Sequence, residues 1–224
     1  MQIRWFGQSA FLLAGEQTVF IDPFGDPAAL AGRGLEFRYP LITGVTADLV
    51  LVTHEHFDHN AVDAVGGDPV VLRSTAGRLE SPVGEVVAIA AEHDDVAGTA
   101  RGPNTIFRFT LDGLSVCHFG DFGQPGLRGA QRAAIGAVDV LFVPVGGTAT
   151  IDGPTAAEVV RALGPRLVVP MHYRTPAINF LEPADAFLDA LGARVERLDG
   201  ADCTAEDLLG TAEEPAVALL APPL

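Results

Sequence analysis

The chain has 224 residues, 48% hydrophobic and 19% charged, which describes a globular protein with enough apolar material for a sizeable core. Its 14 basic against 29 acidic side chains give a net charge of −15. A surface of that sign repels phosphate backbones and anionic lipid, so nucleic-acid and membrane-surface partners are excluded, while a small anionic substrate stays compatible if divalent ions reverse the local field.

In chain order, Gln2–Phe6, Ala10–Leu13 and Thr18–Ile21 read as short strands punctuated by Gly7, Gly15 and Glu16, and Asp22-Pro23 stops the third. Residues 25–40 form a long Gly-, Ala- and Pro-rich loop, of a length often used for lids or binding loops. Asp48–Thr53 is a buried-strand run, followed by the segment His54–His59 and a short helix over Asn60–Val65. Strands follow at Pro69–Leu72, Val86–Ala90, Thr105–Thr110 and Leu114–Phe119, then a helix over Gly129–Gly136 and a buried strand over Val138–Val143. Pro154 introduces a helix over Thr155–Leu163, Leu167–Val169 is a strand ended by Pro170, Pro183–Leu191 is an amphipathic helix and Arg194–Leu198 a last strand. The Ala- and Pro-rich tail after Cys203 is expected to pack loosely. No linker, repeat or low-complexity stretch divides the chain, so one α/β domain over residues 1–224 is expected.

The two cysteines, Cys117 and Cys203, form no Cys-x-x-Cys pair and no disulfide framework. The first fifteen residues lack the charged start, apolar run and cleavage site of a signal peptide, and no apolar run reaches about 18 residues, so a reduced cytoplasmic setting is expected.

The chemistry concentrates in Thr53-His54-Glu55-His56-Phe57-Asp58-His59. Four metal-ligand side chains fall within six residues, directly behind a hydrophobic strand. If the chain stays extended, His54, His56 and Asp58 project to one side and His59 to another. Imidazole and carboxylate together suit zinc, manganese or iron. A lone His-x-His is usually a solvated loop, but four ligand side chains packed behind a buried strand are not expected by accident. The segment is not the His-Glu-x-x-His helix motif, because Asp58 stands where the second His would be. The other three histidines, His93, His118 and His172, all lie at or just past strand ends, as does Asp121. Ligands gathered from several strand ends are how a sandwich edge assembles a site.

The ordered series His-x-His-x-Asp-His, an isolated His, a Gly-Asp after a strand and a final His after another strand resembles the metallo-β-lactamase superfamily. The chain is most similar to its small bacterial members near the ascorbate-6-phosphate lactonase type, through Trp5-Phe6-Gly7-Gln8-Ser9-Ala10-Phe11, Ile21-Asp22-Pro23, Arg101-Gly102-Pro103-Asn104-Thr105-Ile106-Phe107, Val145-Gly146-Gly147 and Pro170-Met171-His172-Tyr173. The resemblance covers roughly residues 1–200. It implies a four-layer αββα sandwich with two divalent ions. His54, His56 and His93 would hold the first, Asp58, His59 and His172 the second, and Asp121 would bridge them. Zinc is the first expectation, with manganese, iron or nickel also suited.

His118 competes with His93 for the first ion. In a straight strand through Val116–Asp121, His118 and Asp121 face opposite sides, so a bridging Asp121 turns His118 away unless Gly120 bends the chain. We therefore assign His93 and leave His118 behind the ligands or in the core. Asp22 is either a turn-former or a carboxylate that orients a ligand imidazole, and the resemblance favours the second. Gln8 and Asn104 are candidates for contacts around the site, with loop or turn roles as alternatives. Tyr173 and Arg174 follow a ligand directly and could meet substrate, although a packed tyrosine is an equal reading. Gly146 and Gly147 would let backbone approach the site. Cys117 and Cys203 read as packing residues.

Two ions about 3.5–4 Å apart can share a bridging hydroxide, which is a nucleophile at neutral pH. The expected activity is hydrolysis of a small ester, lactone, amide or phosphodiester, with Asp58 and Asp121 as catalytic carboxylates relaying a proton. Rival readings are an iron-dependent oxidoreductase on the same fold and a nonenzymatic metal-binding domain. The di-iron oxidoreductases of the superfamily carry Glu at the place of His56, which disfavours the first. The partner is a small molecule; the resembling members often self-associate, which leaves a homo-oligomer open without the sequence deciding it.

Overall fold

The computed structural model describes residues 1–30 and 36–223. Its strands are β1 (Gln2–Gly7), β2 (Ala10–Ala14), β3 (Thr18–Ile21), β4 (Val45–Thr46), β5 (Leu49–Val52), β6 (Val65–Gly66), β7 (Val70–Arg73), β8 (Gly77–Ser81), β9 (Gly84–Glu92), β10 (Pro103–Leu111), β11 (Leu114–His118), β12 (Val140–Pro144), β13 (Leu167–Met171), β14 (Arg194–Arg197), β15 (Asp202–Thr204) and β16 (Ala216–Leu219). Its helices are α1 (Gly129–Ile135), α2 (Gly153–Leu163), α3 (Asp185–Leu191) and α4 (Ala205–Leu208). A six-stranded sheet has the order β15-β1-β2-β3-β5-β7, and an eight-stranded sheet the order β14-β16-β13-β12-β11-β10-β9-β8.

The two sheets lie face to face, as the sequence implies. Side chains of the six-stranded sheet alternate with period two. Phe11, Leu13, Val19, Ile21, Leu49 and Leu51 enter the core shared with the other sheet, where Phe11 meets Phe142 at 4.7 Å between ring centroids. Ala10, Phe20, Val50 and Val52 face the opposite way into a second cluster. Helices α1 and α2 lie against the eight-stranded sheet, and α3 packs on α2. On the outer face of the six-stranded sheet the covering layer, among the described residues, is built from loop: Phe24, Phe37, Tyr39 and Ile42 meet Ala177, Ile178 and Leu181. The long loop at 25–40 thus contributes wall. Phe37 bridges to Ile178 and is edge-on to Phe24 at 5.2 Å. Residues 31–35 of that loop lie outside the described residues.

Several expectations are corrected. The tail after Cys203 is not loose: it supplies α4 and the strand β16, which lies between β13 and β14 with Ala216, Val217 and Ala218 fully buried. A parallel strand covered on both faces needs a continuous apolar run and no alternation, so Ala-Val-Ala-Leu carries little signal. The helix expected at 60–65 is a 3₁₀ turn over Val62–Ala64 that gives way to β6. Strand β13 runs through Pro170 to Met171. It can, because β16 pairs only with Leu167 and Val168, so the missing N–H at Pro170 costs no ladder bond on that side. Strands β8 and β15 were not foreseen; β8 is exposed and charged, and β15 has only three residues.

The position of β16 predicts that Val217→Ala lowers unfolding free energy by about 2 kcal/mol in urea titrations. Val70→Ala, on the edge strand β7 and 44% exposed, should stay within about 0.5 kcal/mol of wild type.

Candidate metal centre

The first sheet delivers the His-rich segment and the second delivers its partners. Past Val52 the chain leaves the strand and turns, with the His59 N–H donating to the His56 carbonyl at 3.0 Å. The extended-chain argument for His54, His56 and Asp58 therefore does not apply; a clamped loop brings them together. Its anchor is Asp22, fully buried, at φ 52 directly after β3. Its Oδ1 accepts the Thr53 N–H at 2.8 Å, and its Oδ2 accepts the Thr53 hydroxyl at 2.8 Å and lies 2.9 Å from His59 Nδ1. Because the Thr53 hydroxyl spends its proton on Asp22, it must accept at its 3.0 Å contact with His54 Nδ1. Nδ1 thus carries the proton in both His54 and His59. One carboxylate sets the tautomer of two imidazoles, His59 directly and His54 through Thr53, and aims each Nε2 lone pair inward.

Those nitrogens converge on one atom. Asp121 Oδ2 lies 3.2 Å from His93 Nε2, 3.2 Å from His172 Nε2, 3.3 Å from His59 Nε2 and 3.9 Å from His54 Nε2. His54 Nε2 also faces His56 Nδ1 at 3.1 Å, and Asp58 Oδ2 lies 3.6 Å from His59 Nε2. Three sets of ligand atoms lie within 4.8 Å of one another: His54 with His56 and His93; His54 with His59 and Asp121; Asp58 with His59 and His172. His54, His59, His93, Asp121 and His172 are all buried, whereas His56 and Asp58 are partly exposed, so the site opens on their side.

Burial and mutual charge perturb these groups. Burial pushes the His54 and His56 imidazoles below their ordinary value, and the neighbouring histidines add to it. Burial also works against a charged His59, but Asp121, Asp58 and Asp22 outweigh it and raise its pKa well above the ordinary value. For Asp121, burial would raise the pKa; His172 and His59 outweigh it and hold the carboxyl well below the usual carboxylate range. His59 Nε2 has no hydrogen-bond partner in this buried space. Four imidazole Nε2 atoms gathered on one buried carboxylate, a second carboxylate at the mouth and an orphaned buried nitrogen fit a divalent cation, which would take the place of the proton held on His59.

The supporting side chains divide into those the sequence named and those it did not. Asn104 does not face the ligands. Its Oδ1 accepts the Asp121 N–H at 3.1 Å and its Nδ2 donates to the Phe119 carbonyl at 2.8 Å, pinning the bend at Gly120. Gly120 does bend the chain, at φ 55, so strand parity does not decide His118. Its hydrogen bonds do: His118 Nδ1 accepts the Gly120 N–H at 3.1 Å and Nε2 lies 3.1 Å from the Ser9 carbonyl, leaving no free nitrogen. Tyr173 is buried and stacked on Trp5, with centroids 5.6 Å apart, as a packed tyrosine. Gly146 lies so close to the His172 carbonyl that a Cβ would collide, which accounts for a glycine there. Gln8 is buried at φ 50 in the β1–β2 turn; its carbonyl accepts the Trp5 indole N–H at 3.0 Å, while both polar atoms of its side chain are unpartnered.

Ser9, Glu55 and Asp94 were not singled out from the sequence. Ser9 Oγ donates to Asp121 Oδ1 at 3.1 Å. Glu55 takes a two-pronged bond from Arg73, at 3.2 and 2.6 Å, which braces the His-rich loop from β7. Asp94 accepts the backbone N–H groups of Val96, Gly98, Ala100 and Arg101, fixing the loop beyond His93. Only Asp94 left a readable signal, an Asp followed by the glycines Gly98 and Gly102.

Comparison with known proteins shows the family and the fold. A family model described as a beta-lactamase superfamily domain matches residues 2–172. A UPF0173 metal-dependent hydrolase of Methanoregula boonei is 32% identical over 200 residues, 78% of this chain and 83% of that protein. Another, from Pelotomaculum thermopropionicum, is 29% identical over 223 residues, 83% of this chain and 90% of that protein. Among solved structures, a Thermotoga maritima protein assigned to the Zn-dependent hydrolases of the metallo-β-lactamase superfamily superposes with a TM-score of 0.75 at 33% identity, covering 98% of this chain and 97% of that one.

Two predictions follow from the supporting residues. Burial lowers the His118 pKa from 6.5 to about 4, so the native state binds fewer protons than the unfolded chain between those values. The stability this neutral imidazole supplies is complete above pH 6.5 and is lost as pH falls toward 4. In urea titrations of metal-free protein, wild type should lose roughly 3 kcal/mol more than His118→Gln between about pH 7 and pH 4. Gln8→Met, which removes an unpaired buried amide, should raise stability by about 1–3 kcal/mol with metal content unchanged; a loss would show that the amide is satisfied.

Proposed function

The chain belongs to the β-lactamase superfamily, and from that premise we propose that it is a metal-dependent hydrolase holding two divalent ions at the edge of the sandwich. The observation that carries this reading is the convergence of four imidazole Nε2 atoms on Asp121 Oδ2. His54, His56 and His93 would hold one ion, Asp58, His59 and His172 the other, and Asp121 would lie between them. Zinc heads the candidates, followed by manganese, iron and nickel. Such ions supply an ionised water near neutral pH and draw charge from a carbonyl or phosphoryl oxygen.

The side chains do the rest. Asp22 and Thr53 keep the His54 and His59 Nε2 lone pairs turned inward. Ser9 and Asn104 hold the Asp121 carboxylate and backbone in place. Asp58, the more exposed of the two site carboxylates at 25%, against 3% for Asp121, can exchange a proton with solvent at the mouth. The substrate is a small ester, lactone, amide or phosphodiester. The net charge of −15 disfavours polyanionic polymers as substrates. No helix among the described residues is long and apolar enough to cross a membrane.

Metal analysis of purified wild type should give about two equivalents of zinc or manganese. The double variant His54→Ala/His56→Ala should lose at least one, and turnover across a lactone, ester and phosphodiester panel should fall at least about 100-fold. Undiminished turnover in the metal-depleted double variant contradicts the reading, and about one equivalent of tightly held iron favours the oxidoreductase instead.

A further inference from the structure

Two buried glutamines outside the ligand shell, Gln124 and Gln131, tie His93 to Asp121. Gln124 lies three residues after Asp121, and Gln131 sits in the first turn of α1; they are 1% and 5% exposed. Their carboxamides pair head to tail: Gln124 Nε2 donates to Gln131 Oε1 at 2.8 Å and Gln131 Nε2 donates to Gln124 Oε1 at 3.0 Å. The remaining valences are spent on backbone around the site. Gln131 Nε2 donates to the Ala90 carbonyl at 2.8 Å, and Gln124 Oε1 accepts the Glu92 N–H at 3.4 Å, both in the strand that ends beside His93. Gln131 Oε1 accepts the Arg128 N–H at 3.0 Å, and Gln124 Nε2 donates to the Gly126 carbonyl at 2.7 Å. Each amide therefore uses both N–H groups and both acceptor positions, which only glutamine or asparagine can do, and which fixes both orientations.

The same junction is reinforced twice. The Gly123 N–H donates to the Glu92 carbonyl at 2.9 Å, with no room for a Cβ against the His93 backbone. Arg128 pairs with Glu92 through its guanidinium. Asp121 is joined to His172 by a separate route, through the Ser9 hydroxyl on Asp121 and the Gln8 carbonyl on the His172 N–H, in which neither glutamine takes part. The amide pair thus sets the spacing of one donor group, the one containing His93, relative to Asp121.

We propose that Gln124 and Gln131 are positioning residues of the metal centre, tuning the affinity of the His54–His56–His93 site while leaving the Asp58–His59–His172 site unaffected. This rests on the two-ion reading above. The test is titration of the metal-free chain with cobalt(II), following visible absorption and chelator competition, in wild type, Gln131→Ala, and the apolar pair Gln124→Leu/Gln131→Leu. The pair variant leaves no lone buried amide but unpairs the Ala90 and Gly126 carbonyls and the Glu92 and Arg128 N–H groups, so both variants should lose stability, and each is titrated at a temperature where circular dichroism shows it folded. The expected result is a loss of about 10-fold or more in affinity for one equivalent, with an altered absorption band, in both variants, and the other equivalent within about 3-fold of wild type. A structural role alone would weaken both equivalents together, in step with the loss of stability; that result, or two unchanged equivalents, overturns the proposal. Should Gln131→Ala not fold, the pair variant decides by the same readouts. Wild type that binds no cobalt removes the two-ion reading and this proposal with it, whereas wild type that binds two equivalents with no selective change in the variants removes only the proposal.

Discussion

The structure depends on holding four imidazole nitrogens within about 4 Å of one buried carboxylate oxygen. Burying so many polar groups is costly, and their lone pairs cannot satisfy one another. The arrangement persists because the elements that carry the groups are rigid for other reasons. The donors leave from β5, β9, β11 and β13, and the faces of these strands are filled by the two apolar clusters. A loose scaffold would relax the crowding by separating the donors. Here the core is continuous and the donors are short extensions of it.

Local strain marks where the scaffold meets the chemistry. Gln8, Asp22 and His172 all adopt left-handed φ values near 50°, a conformation that non-glycine residues seldom take. Each does so at a turn where the chain must stop following its strand and deliver a group. Asp22 turns its carboxylate onto Thr53 and His59; His172 brings its ring to Asp121; Gln8 leads into Ser9, whose hydroxyl holds the far oxygen of Asp121. These turns receive hydrogen bonds from neighbouring elements: the Asp22 N–H reaches the Leu51 carbonyl, and the His172 N–H the Gln8 carbonyl.

The ligand-type residues were legible because their chemistry is discrete. Six histidines in a chain this long, four ligand side chains within His54–His59, and the rest beside strand ends leave few other readings. Strands β1, β2, β3 and β5 of the first sheet were legible because they are apolar or aromatic runs set off by Gly7, Gly15, Glu16 and Asp22-Pro23 or followed directly by the His-rich segment. The supports were not. Thr53, Ser9, Gln124 and Gln131 are ordinary polar residues whose meaning lies in what folding places opposite them, up to 112 residues away in the case of Ser9 and Asp121. Strand β16 was missed for a related reason: a small-residue strand buried on both sides carries no periodicity. His118 shows the limit of periodicity itself. Its separation from the ligands was expected from strand parity, yet Gly120 breaks the strand, and two hydrogen bonds keep the ring turned away.

The remaining side chains narrow where a nucleophile can come from. Burial pushes the Cys117 thiol far up and the Cys203 thiol up to about 12, so neither supplies a thiolate near neutral pH. Tyr39 is raised to about 12 by burial and hydrogen-bonded to Thr175, and Tyr173 is raised by burial too, so neither phenol ionises in that range. The sequence contains no lysine, so no amine side chain can form a Schiff base. Ser9, beside the donors, directs its hydroxyl proton to the carboxylate of Asp121, and among the described residues its hydroxyl makes no hydrogen bond to an imidazole. None of these side chains rivals the activated water of the proposed hydrolase, and under that proposal the orientation of the cluster's imidazoles, set by Asp22 and Thr53, matters more than any one nucleophilic side chain.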